Sequence, residues 1–241
     1  MAKGIDVSVH NGNIDWNAVK ADGVEFAIIR AGYGRTVAQE DDMFQQNYRN
    51  ARAAGIPVGA YWYNYAKTVD DAKNEAAACL KVLAGRQFDF PIYYDVEEPD
   101  VLALGRDKVC AIIKAFCEEI EAAGYYVGVY TGASAARSLL TEEIRKAYDL
   151  WIAHWGVSKP NYDIYGVWQH SDKGSIKGIN GNVDLDESYK DYPAIMAATG
   201  LNNYPKPVVE PVKPVAPVEA DTVDITITLN GKKYSGTLKE V

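Results

Sequence analysis

The sequence predicts an α/β fold, an irregular TIM-like β/α barrel followed by a short C-terminal β-hairpin. Three observations carry this. Eight short apolar, β-branched runs recur along the first 204 residues. Helix-period stretches separate the earlier runs. Acids, aromatics and planar polar groups stand where the runs stop. Strand–helix repetition of this kind builds a parallel sheet with helices outside.

The strand runs are Gly4–Val9, Phe26–Arg30, Pro57–Tyr63, Phe90–Asp95, Tyr126–Tyr130, Leu150–Ala153, Gly166–Gln169 and Val183–Leu185. Between the earlier ones lie the helical patterns Trp16–Ala21, Asp42–Ala54, Val69–Leu83, Asp107–Ala123 and Ala133–Leu139. Gly55 and Gly124 follow helices, where a left-handed C-cap is wanted. Beyond residue 140 the helices thin out, so the last part of the barrel is expected to be irregular. Composition changes after residue 204. Half of the ten prolines fall between Pro205 and Pro217, which reads as an extended, semi-rigid linker. Val223–Leu229 then alternates apolar and polar residues, and Asn230-Gly231 precedes Tyr234–Leu238, a hairpin signal. The expected organisation is a catalytic barrel over 1–204, a linker over 205–220 and a hairpin over 221–241. One hairpin alone is marginal in water. It is expected to dock on the barrel, to pair an edge with a second copy in a homodimer through residues 221–241, or to anchor the chain.

Composition excludes several roles. The formal net charge is −8, and nucleic-acid binding needs a Lys/Arg surface. No apolar run approaches the ~18 residues that span a membrane, so no membrane insertion is expected. The N-terminus lacks a secretory apolar region. Either the protein stays cytoplasmic until released, or it leaves without a cleaved signal, or the signal has been removed. The three cysteines, Cys79, Cys110 and Cys117, form no C-x-x-C pair and read as buried thiols.

In a β/α barrel the active site lies at the carboxyl ends of the strands. The runs end at Asp6, Arg30, Tyr63, Asp95 with Glu97, Tyr130, His154 with Trp155, Gln169 and Asp184. Such a crown suits a sugar polymer, because sugar rings stack on aromatic faces and paired carboxyls cut glycosidic bonds. The densest signal is Phe90-Pro-Ile-Tyr-Tyr-Asp95-Val-Glu97. Strand alternation puts Asp95 and Glu97 on one side. Like-charge repulsion then raises one pKa, so that one carboxyl stays protonated while the other ionises. Glu98 faces away and reads as structural. Asp6 and Asp184 end the first and last strands, neighbours in a closed barrel. Four acids in one cleft also admit a divalent metal, but His154 and His170 lack ligand spacing, and no metal is expected.

These motifs resemble glycoside hydrolase family 25, the Chalaropsis-type lysozymes that include many phage endolysins. The matching stretches are Gly4-Ile-Asp6-Val-Ser8, Gly12-Asn-Ile-Asp-Trp16, Phe26-Ala-Ile-Ile-Arg-Ala-Gly32, Gly59-Ala-Tyr-Trp-Tyr63, Pro91-Ile-Tyr-Tyr-Asp95-Val-Glu97, Gly128-Val-Tyr-Thr131, Leu150-Trp-Ile-Ala-His-Trp155, Val167-Trp-Gln169 and Asn182-Val-Asp184. They run in order from residue 4 to about 192 and do not cover the tail. The resemblance implies cleavage of the β-1,4 bond between N-acetylmuramic acid and N-acetylglucosamine in peptidoglycan, without a cofactor. It implies Glu97 as general acid, with Asp95 steadying the substrate's acetamido group as that group attacks the anomeric carbon. Asp6 and Asp184 complete the acidic floor. Tyr63 and Tyr130 line the acetamido subsite, and Tyr33, Trp62, Trp155 and Trp168 supply aromatic walls. At Trp62 the chain departs from the family's frequent histidine. Two other readings stand beside this one. A chitinase-like glycosidase would carry more alternating acids before its catalytic glutamate, where Ile92, Tyr93 and Tyr94 stand here. A non-catalytic glycan-binding barrel would normally have lost the acid.

Overall fold

The computed structural model describes residues 1–206, 222–229 and 232–239. Two units are present, Met1–Pro207 and Val208–Val241.

In the first unit eight strands close a barrel in sequence order: β1 (Ala2–Val7), β2 (Phe26–Tyr33), β3 (Val58–Tyr63), β4 (Ile92–Asp95), β5 (Val127–Gly132), β6 (Asp149–Ala153), β7 (Val167–Gly174) and β8 (Val183–Ser188). The helices are α1 (Trp16–Ala21), α2 (Phe44–Ala53), α3 (Val69–Leu83), α4 (Pro99–Leu102), α5 (Arg106–Ala122), α6 (Ala133–Leu139), α7 (Glu142–Ala147) and α8 (Tyr192–Thr199). Three of the five expected helices, α1, α3 and α6, have the expected bounds. Pairing from β1 to β7 is parallel, but β8 is antiparallel to both β7 and β1. The parallel sheet expected from the sequence is corrected at β8, within the last part expected to be irregular. A parallel neighbour needs a crossover connection of about a dozen residues or more, usually a helix. Residues 154–166 between β6 and β7 are long enough without a helix, whereas residues 175–182 between β7 and β8 are not, so β8 runs back along β7.

Strand alternation divides the core into two. Outward residues such as Ile5, Ile29, Trp62, Tyr94, Val129 and Ile152 pack under the helices. Inward residues Phe26, Ile28, Tyr61, Phe90, Tyr93, Tyr130, Trp151 and Val167 fill the barrel. Helix α3 shows why its sequence is helical and docked. Thr68 caps it, accepting from the Asp71 amide at 3.1 Å, and Asp70 and Asp71 lie in its first turn, at the positive end of the helix dipole. Its buried stripe is Ala72, Glu75, Ala76, Cys79, Val82 and Leu83, the three-four spacing of one face. All three cysteines are free and buried.

The barrel interior is crowded, and glycine makes room for rings. A Cβ on Gly4 would stand 2.2 Å from the Phe26 ring, and one on Gly128 2.5 Å from the Tyr93 ring. Phe26 stacks on Phe90 at 4.3 Å, and Trp151 takes Tyr61, Tyr93 and Tyr130 around it at 6.0, 5.2 and 4.4 Å. This aromatic layer is the floor beneath the strand ends.

In the second unit β9 (Thr222–Leu229) and β10 (Lys232–Lys239) pair antiparallel, from Leu229 opposite Lys232 to Thr222 opposite Lys239. The Asn230-Gly231 turn, and the linker from residue 207 on, lie outside the described residues. No helix among the described residues is long and apolar enough to cross a membrane.

Candidate active site

At the carboxyl ends of the parallel strands, Asp6, Tyr61, Asp95, Glu97, Tyr130, Trp151, Trp155, Gln169 and Asp184 surround a cavity of about 160 Å³. Each strand gives the residue that its alternation turns inward. Asp6 comes from β1, Tyr61 from β3, Asp95 from β4, Tyr130 from β5, Trp151 from β6 and Gln169 from β7. Glu97 follows β4 by two residues and keeps the inward phase. Asp184 arrives differently. It lies opposite Asp6 in the antiparallel β1–β8 register, near the start of β8 rather than its end. The reversed strand is what brings it to this rim.

Larger open cavities flank the acid pit. One, of about 390 Å³, shares Glu97, Tyr130 and Trp155 with it and reaches Arg137 and His154. The other, of about 530 Å³, is lined by Arg30, Tyr33, Asp41, Tyr63 and Tyr65 among others. Arg30 is held by Asp41, Nε to Oδ2 at 2.7 Å. Tyr65 packs against Tyr33 at 6.1 Å and Tyr63 at 5.0 Å. Tyr63 donates its hydroxyl to Glu98 at 3.0 Å.

Gln169 ties the pit together. Its Nε2 donates to Asp6 Oδ2 at 2.7 Å. Its Oε1 accepts from the Tyr130 hydroxyl and from Trp155 Nε1, both at 3.0 Å. Beneath, Trp151 Nε1 donates to Asp186 Oδ1 at 2.8 Å.

The acids shift upward together. Burial raises Asp95 well above the usual aspartate range and the charge of Glu97 adds to it, while Arg30 opposes. Burial also raises Glu97. The neighbouring Tyr130 hydroxyl works against this, and the charges of Asp184 and Glu98 work with it. Burial, then the charge of Asp172, pushes Asp184 up to about 6. Burial and mutual repulsion in such a pit favour the protonated carboxyl, which is the direction a general acid needs.

Two expected wall residues are corrected. Trp62 is fully buried under the helices, and its Nε1 donates to Gly34 O at 2.9 Å. Trp168 is buried with its Nε1 on the His154 carbonyl at 2.9 Å. Each is adjacent in sequence to an inward residue, Tyr63 or Gln169, and period two forbids both from facing in. Tyr33 and Trp155 are exposed, at 37% and 47%, and line the cavities. His154 Nδ1 accepts the Asn161 amide at 3.0 Å. Among the described residues no group of three or more His, Cys, Asp or Glu is arranged to hold a metal ion. Sequence reasoning missed Tyr61, Trp151 and Asp186. All three were accessible to the same period: Tyr61 is two before Tyr63, Asp186 is two after Asp184, and Trp151 is two before inward Ala153.

The chain matches the model of Glycosyl hydrolases family 25 over residues 5–179. The chain belongs to this family. It is 37% identical to the autolytic lysozyme of Clostridium acetobutylicum over 188 residues, which are 77% of this chain and 55% of that protein. The chain thus spans about half the length of that relative. The bacterial lysozyme from Streptomyces coelicolor superposes with a TM-score of 0.72 at 28% identity, covering 85% of this chain and 98% of that one. The modular autolysin LytC from Streptococcus pneumoniae, in complex with a synthetic peptidoglycan ligand, superposes with a TM-score of 0.68 at 30% identity, covering 77% and 46%.

Proposed function

We propose that this chain is a peptidoglycan N-acetylmuramidase, hydrolysing the β-1,4 bond between N-acetylmuramic acid and N-acetylglucosamine. The observation that carries the reading is the Asp95–Glu97 pair, both lining one acidic pit that shares its wall with an open cavity, with a second, tyrosine-lined cavity at the ends of β2 and β3. A glycan strand laid across the three would bring one glycosidic oxygen to the pair. Family membership, the lysozyme names of relatives and the peptidoglycan ligand of the pneumococcal autolysin support the substrate class.

In this reading Glu97 holds its proton and donates it to the departing glycosidic oxygen. The substrate's acetamido oxygen attacks the anomeric carbon from the other face. Asp95, which Arg30 draws toward the anion against burial and the Glu97 charge, accepts the acetamido N–H and, once ionised, balances the positive charge that develops. Water then opens the cyclic intermediate, with Glu97 now acting as base. This substrate-assisted route is an exception to the usual two-carboxylate scheme. Asp6 and Asp184 form the acidic floor, Tyr130 and Tyr63 border the acetamido side, and Tyr33 and Trp155 offer ring faces to flanking sugars. The site of action is the cell wall.

Mass spectrometry of digested peptidoglycan is the test. New reducing ends should fall on muramic acid, and Glu97→Gln should slow their release by about 10²–10⁴-fold, the usual share of a general acid. Equal rates for Glu97→Gln and the parent chain would remove Glu97 from this role. Faster cleavage of chitin oligomers than of peptidoglycan would favour a chitinase-like enzyme. Saturable wall binding without new reducing ends would favour a binding module.

A further inference from the structure

Asp186 lies one inward position below Asp184 on β8, opposite Gly4 of β1 and Gln169 of β7. It is 1% exposed. Trp151 Nε1 satisfies its Oδ1, but Oδ2 is buried and meets no donor. Asp6, two residues after Gly4 on the neighbouring β1, turns its carboxyl to the same interior, where the two acids act on each other. Asp6 in turn has one N–H donor, Gln169 Nε2. Two carboxylates in contact away from water repel, and each leaves acceptor capacity unfilled. A single proton between them turns the clash into a charge-assisted hydrogen bond.

We propose that Asp6 and Asp186 form a carboxyl pair that shares one proton, and that Asp186 is thereby a positioning residue for the Gln169 network. The proton fixes Asp6 as the acceptor of Gln169 Nε2. That fixes the amide's orientation, which leaves Oε1 toward Tyr130, beside Glu97, and toward Trp155. Asp186 touches no substrate in this scheme and acts through three hydrogen bonds. The electrostatics agree. Burial, set against the Trp151 bond and joined by the charge of Asp184, pushes Asp186 up to about 8. Burial and the charge of Asp186 itself push Asp6 up. The titratable groups facing the pair are Asp184 from β8, Asp95 from β4, and Tyr61 and Tyr130 from β3 and β5. None of them is a cation, so nothing at hand replaces the proton.

The shared proton stands on the buried, unpartnered Asp186 Oδ2 and the β1–β8 register, while its bearing on hydrolysis rests on the muramidase reading. Two measurements keep these apart. Carboxyl-carbon NMR of aspartate-labelled protein needs no substrate. With the signals assigned, Asp6 and Asp186 should together retain one proton above pH 7, and Asp186→Asn should abolish that titration while moving Asp6 to lower pH. Peptidoglycan turnover then compares Asp186→Leu with Asp186→Asn. Leucine should lower kcat more than tenfold, and asparagine, a fixed donor of the same shape, should recover most of it. The pair is overturned if both Asp6 and Asp186 ionise below pH 5, or if the Asp6 titration is unmoved by Asp186→Asn. The positioning role is overturned if the two variants are equally impaired, or if neither is.

Discussion

Gln169 Nε2 donates to Asp6 Oδ2 at 2.7 Å across 163 residues of sequence. This bond joins the first strand of the barrel to the seventh over the intervening β8, and it leaves the Gln169 carbonyl to receive Tyr130 and Trp155. One side chain therefore sets the positions of an acid, a phenol beside the proton donor and an exposed ring. In the muramidase reading it positions three partners while reacting with nothing.

Replacing Gln169 by Leu should accordingly impair catalysis more than folding. Three hydrogen bonds are lost, one of them to a carboxylate, and Asp6 is left with fewer donors. A loss of about 2 kcal/mol of transition-state stabilisation corresponds to about 30-fold in kcat/KM. Gln169→Glu should be worse than Leu, because it sets another carboxyl against Asp6. Steady-state kinetics on soluble peptidoglycan fragments check both. A Glu variant as active as the parent would show that amide orientation is unimportant here.

Trp62 and Trp155 should respond in opposite ways. Trp62→Phe leaves the Gly34 carbonyl without its donor and opens space among fully buried side chains. It should lower stability by about 1–3 kcal/mol with little effect on KM. Trp155→Ala removes a ring that is 47% exposed beside the acid pit. It should raise KM by about 3–10-fold, the worth of one aromatic contact, with an almost unchanged denaturation midpoint. Urea titration and KM determination separate the two, and a raised KM for Trp62→Phe would contradict its placement under the helices.

The contrast between these tryptophans marks where sequence reading stopped. The strand runs, the helices between them and the inward phase of Asp6, Asp95 and Gln169 follow from periodicity, which is local. The reversal of β8 is not local, since it depends on the short connection after β7 and on closure against β1. Asp186 shares the inward phase of Asp184 but lies one residue past Leu185, where the expected strand run ended, so the period was not carried to it. Trp62 and Trp168 were chosen by residue type, against the same alternation that places Tyr63 and Gln169.

Stability should fall as pH rises from about 4 to 8. Glu75 is fully buried on α3, accepting from the Tyr94 hydroxyl at 2.8 Å and the Tyr65 amide at 3.0 Å. Burial pushes it up to about 7 against those two bonds. Asp184 and Asp186 are raised to about 6 and about 8. A carboxyl raised in the folded state contributes stability that is complete below its unfolded pKa, near 4, and lost as pH rises through its folded value. For these three the loss spans roughly pH 4 to 8. Glu75→Gln, which cannot ionise, should lose stability relative to the parent at pH 5 and regain on the order of 1–3 kcal/mol of that difference by pH 9. Thermal melts of both proteins across this range give the answer, and a constant difference would mean that Glu75 does not titrate in the folded chain.

Ending the chain after residue 206 should leave a complete barrel. Among the described residues, the ties that close the first unit precede that point. Asn202 accepts from the Tyr126 amide at 2.7 Å and donates to the Phe90 carbonyl at 2.8 Å, closing the end of the barrel opposite the acid pit. Tyr204 donates to Asp89 at 2.5 Å. Both hydrophobic clusters lie wholly within these residues. The truncated chain should therefore melt within about 2 °C of the full one, less than the shift expected for 1 kcal/mol in a domain of this size. It should also cleave soluble glycan fragments at the same rate. Slower clearing of intact walls by the shortened chain, at equal rates on fragments, would assign β9 and β10 to wall anchoring. A halved mass by light scattering would assign them to self-association. A lowered melting temperature with unchanged mass would mean that the hairpin packs on the barrel.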